Sequence, residues 1–182
     1  IEQQAGDIVR NILGDPFEWV EIPAGEVTLE DVSRKTLPDY PCNGPSGGLR
    51  SVMPFAISRH PVTVEQFALF VERPEGYGDA SWWNFSRKAQ EWRAGAGAEP
   101  QPPAYTGSQL PRTNVSWYDA IAYCRWLSSV SGEDIRLPTE AEWQWAAQGN
   151  DNRAYAWGNY FDAERCNYIE IAVQSELDYH PT

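Results

Sequence analysis

Nine of the 182 residues are tryptophan, and 14 glycines and 14 prolines are spread among them. Gly and Pro interrupt regular backbone, so a chain this rich in both is unsuited to long helices or a broad sheet. Its loops stay ordered only where bulky side chains anchor them from beneath, and Trp buries a large area at each site. The expected architecture is therefore α+β: short helices and strands joined by long, aromatic-pinned loops. A helical bundle or a parallel sheet is not expected.

Charge narrows the partners. With 26 acidic and 14 basic residues the net charge is −12, which repels phosphate backbones and anionic lipid. Neither nucleic acid nor a membrane surface is expected as a partner. No apolar run reaches the roughly 18 residues of a membrane helix. Cys42, Cys124 and Cys166 permit at most one internal bridge, and their spacing matches no zinc pattern. Cys124 lies in the apolar run AIAYCRWL and reads as a small buried hydrophobe. The odd thiol count and the lack of a cleavable leader point to the cytoplasm. The chain opens on Ile1 and ends in the turn-like LDYHPT, the expected look of a portion of a longer protein.

Along the chain, residues 1–16 read as an N-terminal helical extension stopped by Gly14, Asp15 and Pro16, and residues 17–182 as the main domain. FEWVEIPAGEVTLE alternates around Pro23-Ala24-Gly25 and predicts a β-hairpin. Residues 31–50 read as loop, and VMPFAISRHPV as one further strand. Thr63 offers an N-cap to TVEQFALFVE. Ser116 with Asp119, and Thr139 with Glu142, fit the reciprocal capping pattern. Trp117, Ile121, Cys124 and Leu127 or Ser128 are expected to share one face of the first of these two helices. Ala141, Trp145 and Gln148 are expected to share a face of the second.

Chemistry-bearing candidates are few. Glu140 and Glu142 could form an acid/base pair, but first-turn positions suit them to the cap and the helix dipole. Arg136 is expected to pair with a carboxylate. No Gly-x-Ser-x-Gly occurs, and neither His60 nor His180 has a context that makes it a base. No catalytic residue is assigned. Asn84-Phe-Ser86 and Asn114-Val-Ser116 match glycosylation sequons, with Ser116 better explained as a cap. The Trp82–Trp92 stretch is expected to anchor a loop rather than line a ligand surface.

PRTNVSWYDAIAYCRWLSSVSGEDIRLPTEAEWQWAAQG, followed by YAWGN, resembles the core signature of the formylglycine-generating enzyme (sulfatase-modifying factor) family. FEWVEIPAGEV and MPFAISRHPVTVEQFALFV resemble that family's opening segments, with Val64 where the family has Asn. The style of the sequence resembles bacterial, multidomain members. The resemblance implies the family's variant of the C-type-lectin-like fold, loop-rich with few short helices and strands. It implies a structural calcium ion held by Asn167, Tyr168, Asp178 and His180. Copper, or iron in a related sulfoxide-forming enzyme, would belong to the C-terminal part, where the family's oxidases carry a reactive cysteine pair; Cys42, Cys124 and Cys166 do not map onto that pair. The first expectation is a protein- or peptide-recognition module. The alternative is the N-terminal portion of an oxidase that converts a substrate cysteine to formylglycine. The remainder of its own polypeptide, or a second chain, would complete the fold.

Overall fold

A computed structural model describes residues 2–29, 47–151 and 153–166. Five α-helices are present among them: α1 (Glu2–Leu13), α2 (Val64–Glu72), α3 (Arg87–Ala94), α4 (Trp117–Ser131) and α5 (Glu140–Gln148). Four short strands accompany them: β1 (Trp19–Ile22), β2 (Gly25–Leu29), β3 (Gly48–Val52) and β4 (Phe55–Ser58). This is the loop-rich α+β architecture that the Trp, Gly and Pro content implies. The described residues fall into two units, one drawn from 2–19 and 58–137, the other from 20–57 and 138–166.

The first unit is built on an aromatic core. Helix α1 contributes Val9 and Leu13, one turn apart on one face, and ends at Gly14, whose φ of 72° is the left-handed conformation that glycine adopts without strain. Helix α2 starts at Thr63, whose hydroxyl accepts from the Gln66 amide while the Gln66 side chain accepts from the Thr63 amide. It buries Phe67 and Phe70. Around Phe70 stand Tyr77, Trp83, Tyr123 and Trp126, with ring centroids 5.5–6.0 Å away, the spacing at which aromatic pairs attract. The turn after α2 passes so close that a Cβ on Gly76 would lie 1.9 Å from the Phe70 carbonyl oxygen. Only glycine fits there.

Helix α4 presents Ala122, Tyr123, Trp126 and Leu127 to this core and closes at Gly132 with φ 75°. Its buried face differs from the expected one. Trp117, the first residue of the helix, is 60% exposed, because a side chain one position after the cap projects away from the stripe at 119, 122, 123, 126 and 127.

The second unit holds two two-stranded sheets, β1 with β4 and β2 with β3. The expected hairpin across Pro23-Ala24-Gly25 does not form. Both strands exist, but each pairs with a later one. Pro23 and Gly25 instead seat Trp145 of α5: its indole Nε1 donates to the Pro23 carbonyl at 2.8 Å, and a Cβ on Gly25 would lie 2.0 Å from its ring. Strand β2 runs antiparallel to β3 with Val27 opposite Arg50 and Leu29 opposite Gly48. Val27, Leu29, Val52 and Trp145 form its core. The expected single strand in VMPFAISRHPV is two strands, divided at Met53-Pro54, since proline supplies no ladder N–H.

Candidate functional site

One buried carboxylate of the first unit is occupied with holding loops. Asp119 is buried and collects four donors. Its Oδ2 accepts from the Ser116 amide at 3.0 Å and the Ser116 hydroxyl at 2.7 Å; its Oδ1 accepts from the Tyr77 hydroxyl at 3.0 Å and Trp92 Nε1 at 3.3 Å. The Tyr77 hydroxyl also lies 2.9 Å from the Gly97 carbonyl. One carboxylate thus caps α4, fixes α3 through Trp92 and ties down the turn at Gly97. Burial, with the Asp119 charge adding to it, pushes the Tyr77 phenol well above its ordinary range. Arg93 lies 5.1 Å over both the Tyr77 and Trp83 rings and donates to the Gly97 and Ala98 carbonyls. The capping pair Ser116–Asp119 is local and legible in the sequence. Tyr77 and Trp92 are not, because they reach Asp119 from 42 and 27 residues away.

The other candidates resolve one by one. Cys124 is buried on α4, and burial raises its thiol from 9.0 to about 11. It is a protonated core residue at neutral pH, with little thiolate to act as nucleophile. Cys166 is half-buried, with its thiol 3.6 Å from the Asp162 carbonyl. Glu142 is the Thr139 capping partner: its carboxylate accepts from the Thr139 amide at 2.7 Å, and Thr139 Oγ1 accepts from the Glu142 amide at 3.2 Å. Ser86 caps α3 by accepting from the Ala89 amide at 3.1 Å. Asn114 takes a φ of 56° and donates its side-chain amide to the Pro102 carbonyl at 2.8 Å. In the Trp82–Trp92 stretch, Trp83 is fully buried, Trp82 Nε1 donates to the Glu75 carbonyl, and Trp92 binds Asp119, so these rings anchor loops as expected. Cys42 and the four residues of the expected calcium site, Asn167, Tyr168, Asp178 and His180, lie outside the described residues. Among the described residues no helix is long and apolar enough to cross a membrane.

Aromatic rings also face solvent. In the second unit Tyr155 stacks on Trp157 at 5.2 Å, and Phe161 packs against Tyr155 at 6.0 Å. Tyr160 beside them is 88% exposed, and Trp143 on α5 is 63% exposed. In the first unit Trp117 stands edge-on to Phe85 at 5.9 Å and to Tyr118 at 5.4 Å. Trp117 and Trp143 could not be recognised from helical spacing alone, since each lies two residues before a buried one, Asp119 and Trp145.

Comparison with known proteins places this architecture. The sulfatase-modifying factor enzyme 1-like domain matches residues 5–181. The formylglycine-generating enzyme of Thermomonospora curvata is 34% identical over 81% of this chain and 55% of its own length. That of Streptomyces coelicolor is 34% identical over 77% of this chain and 50% of its own length. A Mus musculus relative, named inactive C-alpha-formylglycine-generating enzyme 2, is 35% identical over 64% of this chain and 44% of its own length. The chain spans about half the length of these relatives. With its short, aromatic-pinned helices and two small sheets, and a family match covering nearly every residue, this chain belongs to the sulfatase-modifying factor enzyme 1-like domain family.

Proposed function

We propose that this chain is a protein- or peptide-recognition module carried on a formylglycine-generating-enzyme-like scaffold. The supporting observation is where its side chains are spent. The buried Asp119 and Thr63 side chains serve caps and a loop lock, the α4 thiol is held protonated in the core, and large aromatics stand in solvent. Exposed Trp and Tyr are the residues most enriched at protein-binding hot spots, where they contribute area at low entropic cost. That a family relative bears the name inactive is consistent with a scaffold used without turnover. Selection of peptides from a display library, followed by calorimetry on the 182-residue chain, tests the reading. Saturable one-to-one binding is expected; failure to enrich any peptide would count against it.

The alternative is that the chain supplies the N-terminal portion of a metal-dependent oxidase acting on a substrate cysteine. Its support is the 34% identity to the Thermomonospora curvata enzyme over most of this chain. Under either reading we propose calcium as a structural ion at Asn167, Tyr168, Asp178 and His180. A ligand bound only by the native state raises stability by mass action. Chelator should therefore lower the melting temperature and added calcium restore it; no shift in either direction would remove the ion from the account.

A further inference from the structure

In the first unit the exposed Trp117 ring is preordered by the half-buried Phe85 and Tyr118 rings, which pack against the core. Trp117 is held edge-on by both neighbours, and Tyr118 is stacked in turn on Trp92 at 5.7 Å. Trp92 is itself fixed by Asp119. The rings therefore sit on the Asp119 lock and lose little freedom when a ligand lands on them, which favours affinity.

The charge beside this face runs against that of the whole protein. The Arg125 guanidinium lies 5.9 Å over the Phe85 ring, and its side chain belongs to an exposed position. Arg87 and Lys88 open α3 two and three residues after Phe85, and both are exposed. Glu91 pairs with Arg87 at 2.8 Å, and the Asp119 carboxylate lies beneath the stack at Trp92, so two of the three cations are offset and one positive charge is left. In a chain of net charge −12, a local excess of positive charge beside the exposed Trp117 ring selects an anionic ligand bearing apolar groups.

We propose that the Phe85–Trp117–Tyr118 face, with Arg125, Arg87 and Lys88 beside it, docks an acidic, extended peptide segment of a partner protein. The inference rests on the recognition reading and gives it a place and a chemistry. Leucine-like or aromatic side chains of the peptide would lie on the Trp117 ring while its carboxylates face Arg125 and Lys88. Single-stranded nucleic acid also stacks on aromatic rings beside cations, but it carries a charge on every nucleotide, whereas a mixed acidic and apolar peptide sets carboxylates only opposite the cations and meets less repulsion from a protein of net charge −12.

Two-dimensional NMR titration of the 182-residue chain is the test. The probes are a blocked octapeptide of Glu and Leu, its Lys and Leu counterpart, and an oligothymidine. The Glu–Leu probe should shift the Trp117 indole resonance saturably and weaken as salt rises. W117A should lower its affinity about tenfold, the loss expected of an aromatic anchor. R125E should lower it several-fold while leaving the spectrum folded. Glu–Leu binding that is equally tight in R125E, or maps elsewhere, overturns this surface but leaves the recognition reading standing. So does tighter binding of oligothymidine or of the Lys–Leu probe at Trp117. Absence of saturable shifts with any probe also overturns it, while the fate of the broader reading is decided by the library selection.

Discussion

Removing one hydroxyl tests whether the loops are held as described. Tyr77 is 4% exposed, and its hydroxyl donates into the space between the Gly97 carbonyl at 2.9 Å and Asp119 Oδ1 at 3.0 Å. Tyr77→Phe deletes that donor without stranding either acceptor. The Gly97 carbonyl keeps Arg93 Nη1 at 3.2 Å, and Asp119 Oδ1 keeps Trp92 Nε1 at 3.3 Å. Hydrogen bonds to charged groups contribute about 1.5–3 kcal/mol, and the lower end applies where both partners stay satisfied. The expected loss is about 1.5 kcal/mol. Asp119→Ala is harsher. It removes the reciprocal half of the α4 capping box, the carboxylate that accepts from the Ser116 amide, and also takes the acceptor from the half-buried Trp92 indole N–H, so about 3 kcal/mol is expected in all. Because the two residues share one hydrogen bond, Tyr77→Phe should cost about 1 kcal/mol less when Asp119 is already Ala. Urea unfolding followed by tryptophan fluorescence measures all four corners, with an unchanged denaturant slope. A Tyr77→Phe protein as stable as the parent, or equal losses in both backgrounds, would refute the shared lock.

Three further outcomes follow from the same geometry. Gly76→Ala sets a Cβ 1.9 Å from the Phe70 carbonyl oxygen; the clash is with backbone, so a loss above about 2 kcal/mol is expected in the same urea assay. Thr139→Ala removes the hydroxyl that accepts from the Glu142 amide and should cost about 1 kcal/mol by cap loss, with peptide binding unchanged by calorimetry. Burial raises the Cys124 thiol from 9.0 to about 11. Its folded value lies above its unfolded one, so the associated stability is complete below pH 9.0 and is lost as pH rises toward 11. That loss is about 3 kcal/mol; a Cys124→Ala protein should show correspondingly less of the alkaline decline, and an identical pH profile would refute the assignment.

Local signals in the sequence carried most of the helices. Thr63, Ser116 and Thr139 each cap the helix that follows them, because a cap is settled within three residues. Gly14 and Gly132 end theirs through left-handed backbone. Strand pairing was less legible. Alternation around Pro23-Ala24-Gly25 marks β1 and β2 correctly, yet Trp145, more than 100 residues on, occupies the turn, and the strands take other partners. The Asp119 lock was half visible, since its cap is local and its Tyr77 and Trp92 donors come from afar. Cys124 was recognisable from its apolar setting. The exposed rings were not: Trp117 and Trp145 look alike as letters, and only packing separates a ring in solvent from one seated on Gly25.

The central functional claim is that this chain recognises a protein or peptide segment. The most direct measurement is calorimetry of the 182-residue chain against the peptide enriched from the display library. Saturable one-to-one binding is the predicted result. Absence of any binding heat with the enriched peptide would contradict the account.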